Sequence, residues 1–249
     1  MYTMQITKQL IRTTGFFIAL GILFTSMAAD ARQRSGGSKG TQAGLSSIIA
    51  NLPYEDLSEA EEEGLIHMRV EEKLARDVYL TLYETWELAI FSNIAEAEDR
   101  HMAAIKSLLD KYNVPDPITD LPVGVFPSDD MQALYYALVK RGEESSVEAL
   151  DVGATIEDLD IKDLYDYLIE TDNSDIKTVY QNLVKGSRNH LRAFVSQLQL
   201  NGVYYEASYL TQEEIDNIVN SPWEQGMVDE DGNPVTGGKM GGGQGGRRL

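Results

Sequence analysis

The sequence of 249 residues contains no cysteine. This absence excludes disulfide bonds, iron sites held by thiolates and a lipid anchor attached through cysteine. Histidine is also scarce, with three in the whole chain. Any metal ion must therefore be bound through oxygen and nitrogen atoms, and few nitrogen ligands exist for it.

Basic residues are scarce as well: 21 Lys and Arg stand against 40 Asp and Glu, a formal net charge of −19. Such a chain repels a phosphate backbone, so nucleic acid is not expected as a partner. The length and the 43% hydrophobic content suffice to bury one sizeable core. We expect one folded domain.

The sequence lacks the run of ~20 apolar residues that a membrane-spanning helix needs. A shorter apolar run at residues 15–25 follows two basic residues and precedes small residues, which is the pattern of a secretory signal. We expect residues 1–31 to be a signal peptide cleaved after Ala28 or Ala31. The mature protein would then be periplasmic or extracellular, without stable membrane insertion. The alternative is an uncleaved membrane anchor.

Both ends of the remaining chain have the composition of disordered segments. Residues 32–44 are rich in Gly, Ser and Arg, which predicts a flexible linker. Residues 223–249 form a Gly-rich tail, and nine of the 21 glycines lie from Gly226 onward. The folded domain is expected at residues 45–222.

Four long segments each carry one stripe of residues with alternating spacings of three and four, as in helices that pack along a bundle seam. Every stripe is apolar except near its middle. The stripes are Leu65, Met68, Glu72, Ala75, Tyr79, Leu82 and Trp86; Phe91, Ile94, Glu98, His101, Ile105, Leu108 and Tyr112; Leu150, Gly153, Glu157, Asp160, Leu164 and Tyr167; and Ile176, Tyr180, Leu183, Ser187, His190, Phe194 and Gln197.

The polar interruptions lie at a similar depth in all four stripes. A single buried carboxylate, which costs several kcal/mol unless it is paired or binds a metal, would be explained by an error in helical register or by a snorkelling side chain. Four interruptions at one level instead predict a shared polar centre that holds metal between facing helices. Glu98 and His101, three residues apart on one helix face, have the spacing of metal ligands.

The connections between these segments indicate a topology. Short connections around residues 87–90 and 172–174 predict two antiparallel hairpins. Between them, residues 113–145 contain four prolines and a short predicted helix at residues 129–140. One long crossover between two hairpins favours an all-α, ferritin-like four-helix bundle with short extra helices. A capping box predicts a last helix within residues 211–220.

Four runs of this sequence resemble the ferritin-like superfamily, in particular its rubrerythrin branch and, most closely, exported ferritin-like domains of unknown function of the DUF2202 type. The resemblance covers about residues 45–220. The runs that carry it are Glu72–Tyr79, Ile94–His101, Val152–Ile161 and Gly186–Leu191.

The resemblance implies a carboxylate-bridged di-iron site. Where the superfamily has a further Glu, three residues before its second His, this chain has Ser187. Asp160 could supply the missing carboxylate, so one or two iron ions are expected, with manganese as the alternative. The residues at the family's ligand positions are Glu72, Glu98, His101, Glu157 and His190.

The implied activity is that of an oxidoreductase that oxidises ferrous iron or reduces peroxide, with oxygen or peroxide as partners; a homodimer is left open, and no catalytic residue is assigned. The alternative is a non-catalytic binding or structural module of the cell envelope with a degenerate metal site. His67 lies off its stripe and is expected to be exposed. Tyr79 and Tyr180 are expected to pack in the core with satisfied hydroxyls.

Overall fold

The computed structural model describes residues 49 and 51–235. Within these residues the chain forms six α-helices of nine or more residues and no β-strand, so the expected all-α class is confirmed. The expected signal peptide and linker lie outside the described residues. The helices are α1 (Glu59–Trp86), α2 (Ala89–Tyr112), α3 (Asp129–Gly142), α4 (Ser146–Glu170), α5 (Ser174–Leu200) and α6 (Gln212–Asn220).

The helices begin and end where local chemistry dictates. Ser58 and Thr211 open α1 and α6 with capping boxes, in which a side-chain oxygen accepts a hydrogen bond from a free backbone N–H of the first turn. Glu87 and Asn113 end α1 and α2 in the left-handed conformation, with φ of 53° and 58°. The predicted last helix is confirmed by α6.

The four long helices pack as two pairs. α1 packs along α2 after a two-residue connection, and α4 packs along α5 after three residues. Further contacts join α1 to α4 and α2 to α5, while α3 rests on α1 and α4. None of the described helices has the length and apolar composition of a membrane-spanning segment.

The buried apolar residues form two clusters. One contains Leu65, Ile105, Leu164 and Leu183, and the other contains Phe91 and Phe194 along with much of α3 and α6. On each stripe the polar interruption lies between residues of the two clusters. The two apolar cores are therefore separated by one polar layer that crosses all four long helices.

The stripe positions are buried as expected, with a few departures. Trp86 and Tyr167 are half-buried, and His101 is slightly exposed. Gln197 is exposed, so its place on the stripe was wrong. The neighbouring Leu198 is fully buried instead, because the buried face of α5 shifts by one residue near its end.

The long connection after α2 is fixed to α1 by buried charges. Lys73, which is 1% exposed, pairs with Asp77 and donates to the Pro122 carbonyl over 2.9 Å. Asp77 also accepts a hydrogen bond of 2.9 Å from the Gly124 N–H. The crossover is therefore held against the helix that contributes the first residue of the polar layer.

Residues 223–235, which the sequence assigned to the tail, pack against α5. Glu224 accepts hydrogen bonds of 2.8 Å from Arg188 Nε and 2.9 Å from Arg192. The Asn182 side chain donates to the Val228 carbonyl and accepts from its N–H. The rest of the predicted tail lies outside the described residues.

Candidate metal centre

The polar layer brings together side chains from four helices. All six predicted ligand residues lie in it, and five of them are at most 9% exposed; the side chain of His101 is 13% exposed. Residues three apart lie on the same helix face, so α2 and α4 each contribute two side chains to the layer. The residues are Glu72 on α1, Glu98 and His101 on α2, Glu157 and Asp160 on α4, and His190 on α5.

Glu98 lies between the two histidines. Its Oε2 is 2.8 Å from His101 Nδ1, and its Oε1 is 2.9 Å from His190 Nδ1. The two imidazole rings are stacked, with centroids 5.5 Å apart. One carboxylate from the middle of α2 therefore contacts an imidazole with each of its oxygens.

A second carboxylate completes a trio around each histidine. Glu72 Oε2 lies 3.2 Å from His101 Nδ1, and Glu157 Oε2 lies 3.4 Å from His190 Nδ1. In each trio, the three ligand atoms lie within 4.8 Å of one another. Glu98 belongs to both trios, so the geometry offers two adjacent positions for a cation that share one carboxylate.

Four buried ligand atoms in this layer make no hydrogen bond to a described residue, and two of them, Glu98 Oε1 and His190 Nδ1, are in ion-pair contact with each other at 2.9 Å. Buried polar atoms in folded proteins are nearly always paired, and each one left unpaired costs ~1–3 kcal/mol. A cation bound in a trio would engage that trio's carboxylate and imidazole atoms, and these oxygen and nitrogen donors suit a transition metal. The residues thus fit a metal centre. The atoms are Glu72 Oε1, Glu98 Oε1, Asp160 Oδ1 and His190 Nδ1.

Burial and neighbouring charges shift the pKa values of the ligand groups in this layer. Burial raises the pKa of Glu72 to about 8, although the nearby His101 opposes this rise. Burial lowers the pKa of His101, but the charges of Glu72 and Glu98 outweigh it and raise the pKa to about 10. Glu72 and His101 therefore hold their protons more strongly than usual, and a metal ion that binds them has to displace those protons.

Asp160 and Ser187 lie beside the trios without joining either of them. The Ser187 hydroxyl is fully buried and hydrogen-bonds Asp160 Oδ2. Burial raises the pKa of Asp160 well above its usual value, and the charges of Glu72, Glu71 and Glu157 add to that rise. The serine hydroxyl thus pairs with the carboxylate that the sequence offered as an additional ligand.

Tyr79 supports the second trio. Its hydroxyl donates a 2.6 Å hydrogen bond to Glu157 Oε1, which confirms that this tyrosine has a satisfied hydroxyl. The expectation for Tyr180 was wrong, because its hydroxyl is buried with no partner among the described residues. It lies near the half-buried Tyr167 ring, 6.2 Å away between centroids, and offers no group to the centre.

Sequence reasoning missed Gly186. A Cβ atom at this position would lie 2.5 Å from His101 Nε2, so only glycine leaves room for the ring in its present place. Gly186 precedes Ser187 and sits within the resembling run on α5. Its position four residues before His190, on the same helix face, was a usable signal.

His67 is not the exposed histidine that was expected. Its side chain is 20% exposed, and Nε2 lies 3.3 Å from both Glu71 Oε2 and Asp163 Oδ2. The residue lies off the stripe because it faces α4 beside the seam. The spacing of four between His67 and Glu71 on one helix could have indicated the contact.

Comparison with known proteins finds a matching family model and a similar protein whose crystal structure is known. A family model described as "Uncharacterized protein domain (DUF2202)" matches residues 61–222. "Uncharacterized protein MJ0754" of Methanocaldococcus jannaschii is 56% identical over 179 residues, which cover 72% of this chain and 97% of the relative. The crystal structure of hypothetical protein MJ0754 from Methanococcus jannaschii matches with a TM-score of 0.68 and 57% identity, over 70% of this chain and 99% of that one.

Proposed function

This chain belongs to the family of the uncharacterized DUF2202 domain, and we propose that it is a metal-binding protein with a ferritin-like four-helix bundle. α1, α2, α4 and α5 would form the bundle, and the polar layer would hold one or two transition-metal ions. The two helix pairs, the long crossover between them and the resemblance in sequence support this assignment.

The observation that carries the proposal is the set of four buried ligand atoms without hydrogen-bond partners. Ion pairing accounts for the contact between Glu98 Oε1 and His190 Nδ1 but leaves Glu72 Oε1 and Asp160 Oδ1 without a partner among the described residues. A cation between the trios would be bound by atoms that already converge from four helices. The lack of cysteine and the mixture of carboxylate and imidazole favour iron or manganese.

Each residue would have a distinct part. Glu98 would serve both positions through its two oxygens, and His101 and His190 would each serve one. Tyr79 fixes the orientation of Glu157 through its hydrogen bond. With Ser187 in place of a carboxylate, we propose one tight site and at most one weaker site, the latter depending on Asp160.

Bound iron would supply oxidoreductase chemistry, in which ferrous iron is oxidised or peroxide is reduced. The chain surrounds the layer with apolar clusters that exclude water, and His101 is the ligand side chain with the greatest exposure among the trios. An exported location is part of the proposal and depends on residues 1–31.

Elemental analysis of the purified chain, after anaerobic loading with ferrous or manganous ions and dialysis, tests the proposal. We expect the central layer to hold one tightly bound ion per chain and at most one weaker ion. His101→Gln and His190→Gln should each reduce the bound metal, whereas Glu62→Gln, an exposed change on α1, should not. Absence of bound metal in the wild type would overturn the proposal, and two equally tight ions that are both lost in the His101 and His190 variants would overturn the uneven binding.

A second candidate is a non-catalytic module of the cell envelope with a degenerate metal site. The hydrogen bond between the fully buried Ser187 and Asp160 favours it, since this pair replaces the expected carboxylate. Metal-loaded protein that neither consumes peroxide nor speeds ferrous oxidation would support this candidate. Turnover that is lost in His190→Gln would exclude it.

A further inference from the structure

A second cluster of ligand-type side chains lies outside the polar layer. His67 and Glu71 are four residues apart on α1, and Asp163 faces them from α4. His67 Nε2 lies 3.3 Å from one oxygen of each carboxylate. One ligand atom from each residue lies within 4.8 Å of the others, and none of the three belongs to the central trios.

The burial of this cluster is uneven. The side chains of Glu71 and Asp163 are each 3% exposed, whereas that of His67 is 20% exposed. The cluster is therefore closed on the carboxylate side and reaches solvent at the imidazole. The rings of Tyr167 and His67 lie beside each other, with centroids 5.8 Å apart.

Ion pairing alone does not satisfy these groups. The single Nε2–H of His67 can point at one carboxylate only, and it has hydrogen-bond geometry with Asp163. Glu71 Oε2 is buried, faces the same nitrogen and accepts no hydrogen bond from any described residue. A buried carboxylate oxygen without a partner is destabilising, and native proteins rarely keep one without a reason.

A divalent cation would remove this conflict. Two carboxylate oxygens and one imidazole nitrogen are ligands that first-row transition metals accept. Two negative charges would be balanced by the cation, with His67 neutral, whereas a protonated His67 balances only one of them. The free Glu71 oxygen would become a ligand instead of an unpaired group.

The cluster is distinct from the central trios. Glu71 and Glu72 are consecutive, so their side chains leave α1 about 100° apart and point to different neighbours. Asp163 follows Asp160 by one helical turn on α4.

We propose that His67, Glu71 and Asp163 form an outer site for one divalent first-row transition-metal ion, separate from the central layer and open to solvent at His67. The site stands on its own geometry and does not require that the central layer bind metal.

Cobalt(II) is a suitable probe, applied to the full chain after removal of metal with a chelator. Equilibrium dialysis with elemental analysis gives the number of ions, and anomalous diffraction from cobalt-soaked crystals gives their places. We expect an anomalous peak among His67 Nε2, Glu71 and Asp163. His67→Gln and the nearly isosteric Asp163→Asn should each lose one ion per chain, or weaken its binding at least tenfold.

Matched variants separate this site from the centre. His190→Gln should leave the outer ion in place, and Glu62→Gln should change nothing. An ion lost in His67→Gln but kept in His190→Gln supports the outer site even if the centre binds no metal. Unchanged cobalt binding in His67→Gln and Asp163→Asn, with peaks confined to the central trios, would overturn the proposal and leave an ion-paired contact only. Thermal unfolding of both variants without metal shows whether they are folded, and either folded variant suffices for the test.

Discussion

Gly186 leaves room for the His101 ring because it has no side chain. Alanine there would put a methyl carbon 2.5 Å from His101 Nε2, so the ring would have to move. Alanine favours a helix over glycine by ~1 kcal/mol, which offsets the cost of moving the ring. The stability of the chain without metal should therefore change little in Gly186→Ala. We expect metal affinity to fall at least tenfold in dialysis.

Gly142→Ala is the control for this change. Its added carbon would crowd Leu82 at 2.6 Å, and Leu82 lies ten residues beyond Glu72, about 15 Å along α1. Metal affinity should stay at the wild-type value in this variant. An equal loss of affinity in both variants would show that the effect comes from general repacking and not from the imidazole.

Two buried tyrosines give a matched pair of hydroxyl deletions. Tyr79→Phe removes a 2.6 Å hydrogen bond to Glu157, and such supporting bonds to metal ligands typically carry a 10–100-fold effect on affinity. Tyr180→Phe removes a buried hydroxyl that has no partner, so it should leave affinity unchanged and raise stability by ~1 kcal/mol. Metal titration and denaturant unfolding of both variants provide the measurement: affinity should fall only in Tyr79→Phe, and stability should rise only in Tyr180→Phe.

The residues of the centre could be predicted from sequence because helical spacing fixes both the face and the depth of a side chain. Glu98 and His101 converge with His190 for that reason. His67 could not be predicted in the same way, since it contacts Asp163 from beside the seam and seam spacing does not encode lateral neighbours. The Ser187 contact with Asp160 likewise depends on how α4 and α5 are rotated against each other.

At the scale of elements, the start of α1 is tied to the turn between α4 and α5. Glu61 accepts from the Ser58 N–H at 2.9 Å as part of the capping box, and its other oxygen accepts from Thr171 and from the Asn173 N–H. It is only 4% exposed. One carboxylate thus joins three helix ends, which no local pattern in the sequence indicates.

Glu61→Gln should destabilise the chain by ~1–3 kcal/mol, because an amide accepts with one oxygen only. Glu214→Gln, at the exposed capping box of α6, should cost less than ~1 kcal/mol. Denaturant unfolding of both variants at pH 7 measures the difference. Equal losses would mean that the links to Thr171 and Asn173 contribute nothing.

The same carboxylate gives a pH dependence with a defined sign. Burial would raise the pKa of Glu61, but hydrogen bonds from Thr171, Ser58 and Asn173 outweigh burial and hold the pKa below its usual value. A depressed pKa in the folded state means that the stabilisation is present above about pH 4.3 and is lost as the pH falls through the folded value. The stability gap between wild type and Glu61→Gln should therefore shrink between pH 6 and pH 3.

The bounds of most helices could be predicted, because caps and stripes are local. The packing of the crossover could not, since Lys73 and Asp77 fall off the stripe and look like surface charges in the sequence. Both are buried because each satisfies the other and because Pro122 and Gly124 supply backbone partners. In a sequence, a pair of opposite charges four residues apart looks the same whether the pair is exposed to solvent or buried.

At the scale of the whole molecule, the centre joins four helices that are far apart in the chain. A metal ion that binds only the folded state should stabilise it by ~2.7 kcal/mol at a free concentration 100-fold above its Kd. For a domain of about 150–250 residues this corresponds to an increase in Tm of roughly 5–10 °C. Thermal unfolding with and without manganous ions measures it, and His190→Gln should lose most of the increase. Confirmed binding without any increase would mean that the ion sits outside the core.

Glu71 and Glu72 serve different clusters from adjacent positions on α1, and this places a limit on how the gene can change. An insertion or deletion of one residue between His67 and Glu71 would rotate everything beyond it by about 100° relative to His67, so the side chains of both Glu71 and Glu72 would be misdirected at once. The crossover at residues 113–128 has no such periodicity to preserve. Homologous genes should therefore differ in length there, while the spacing within α1 stays constant even where its exposed residues have diverged.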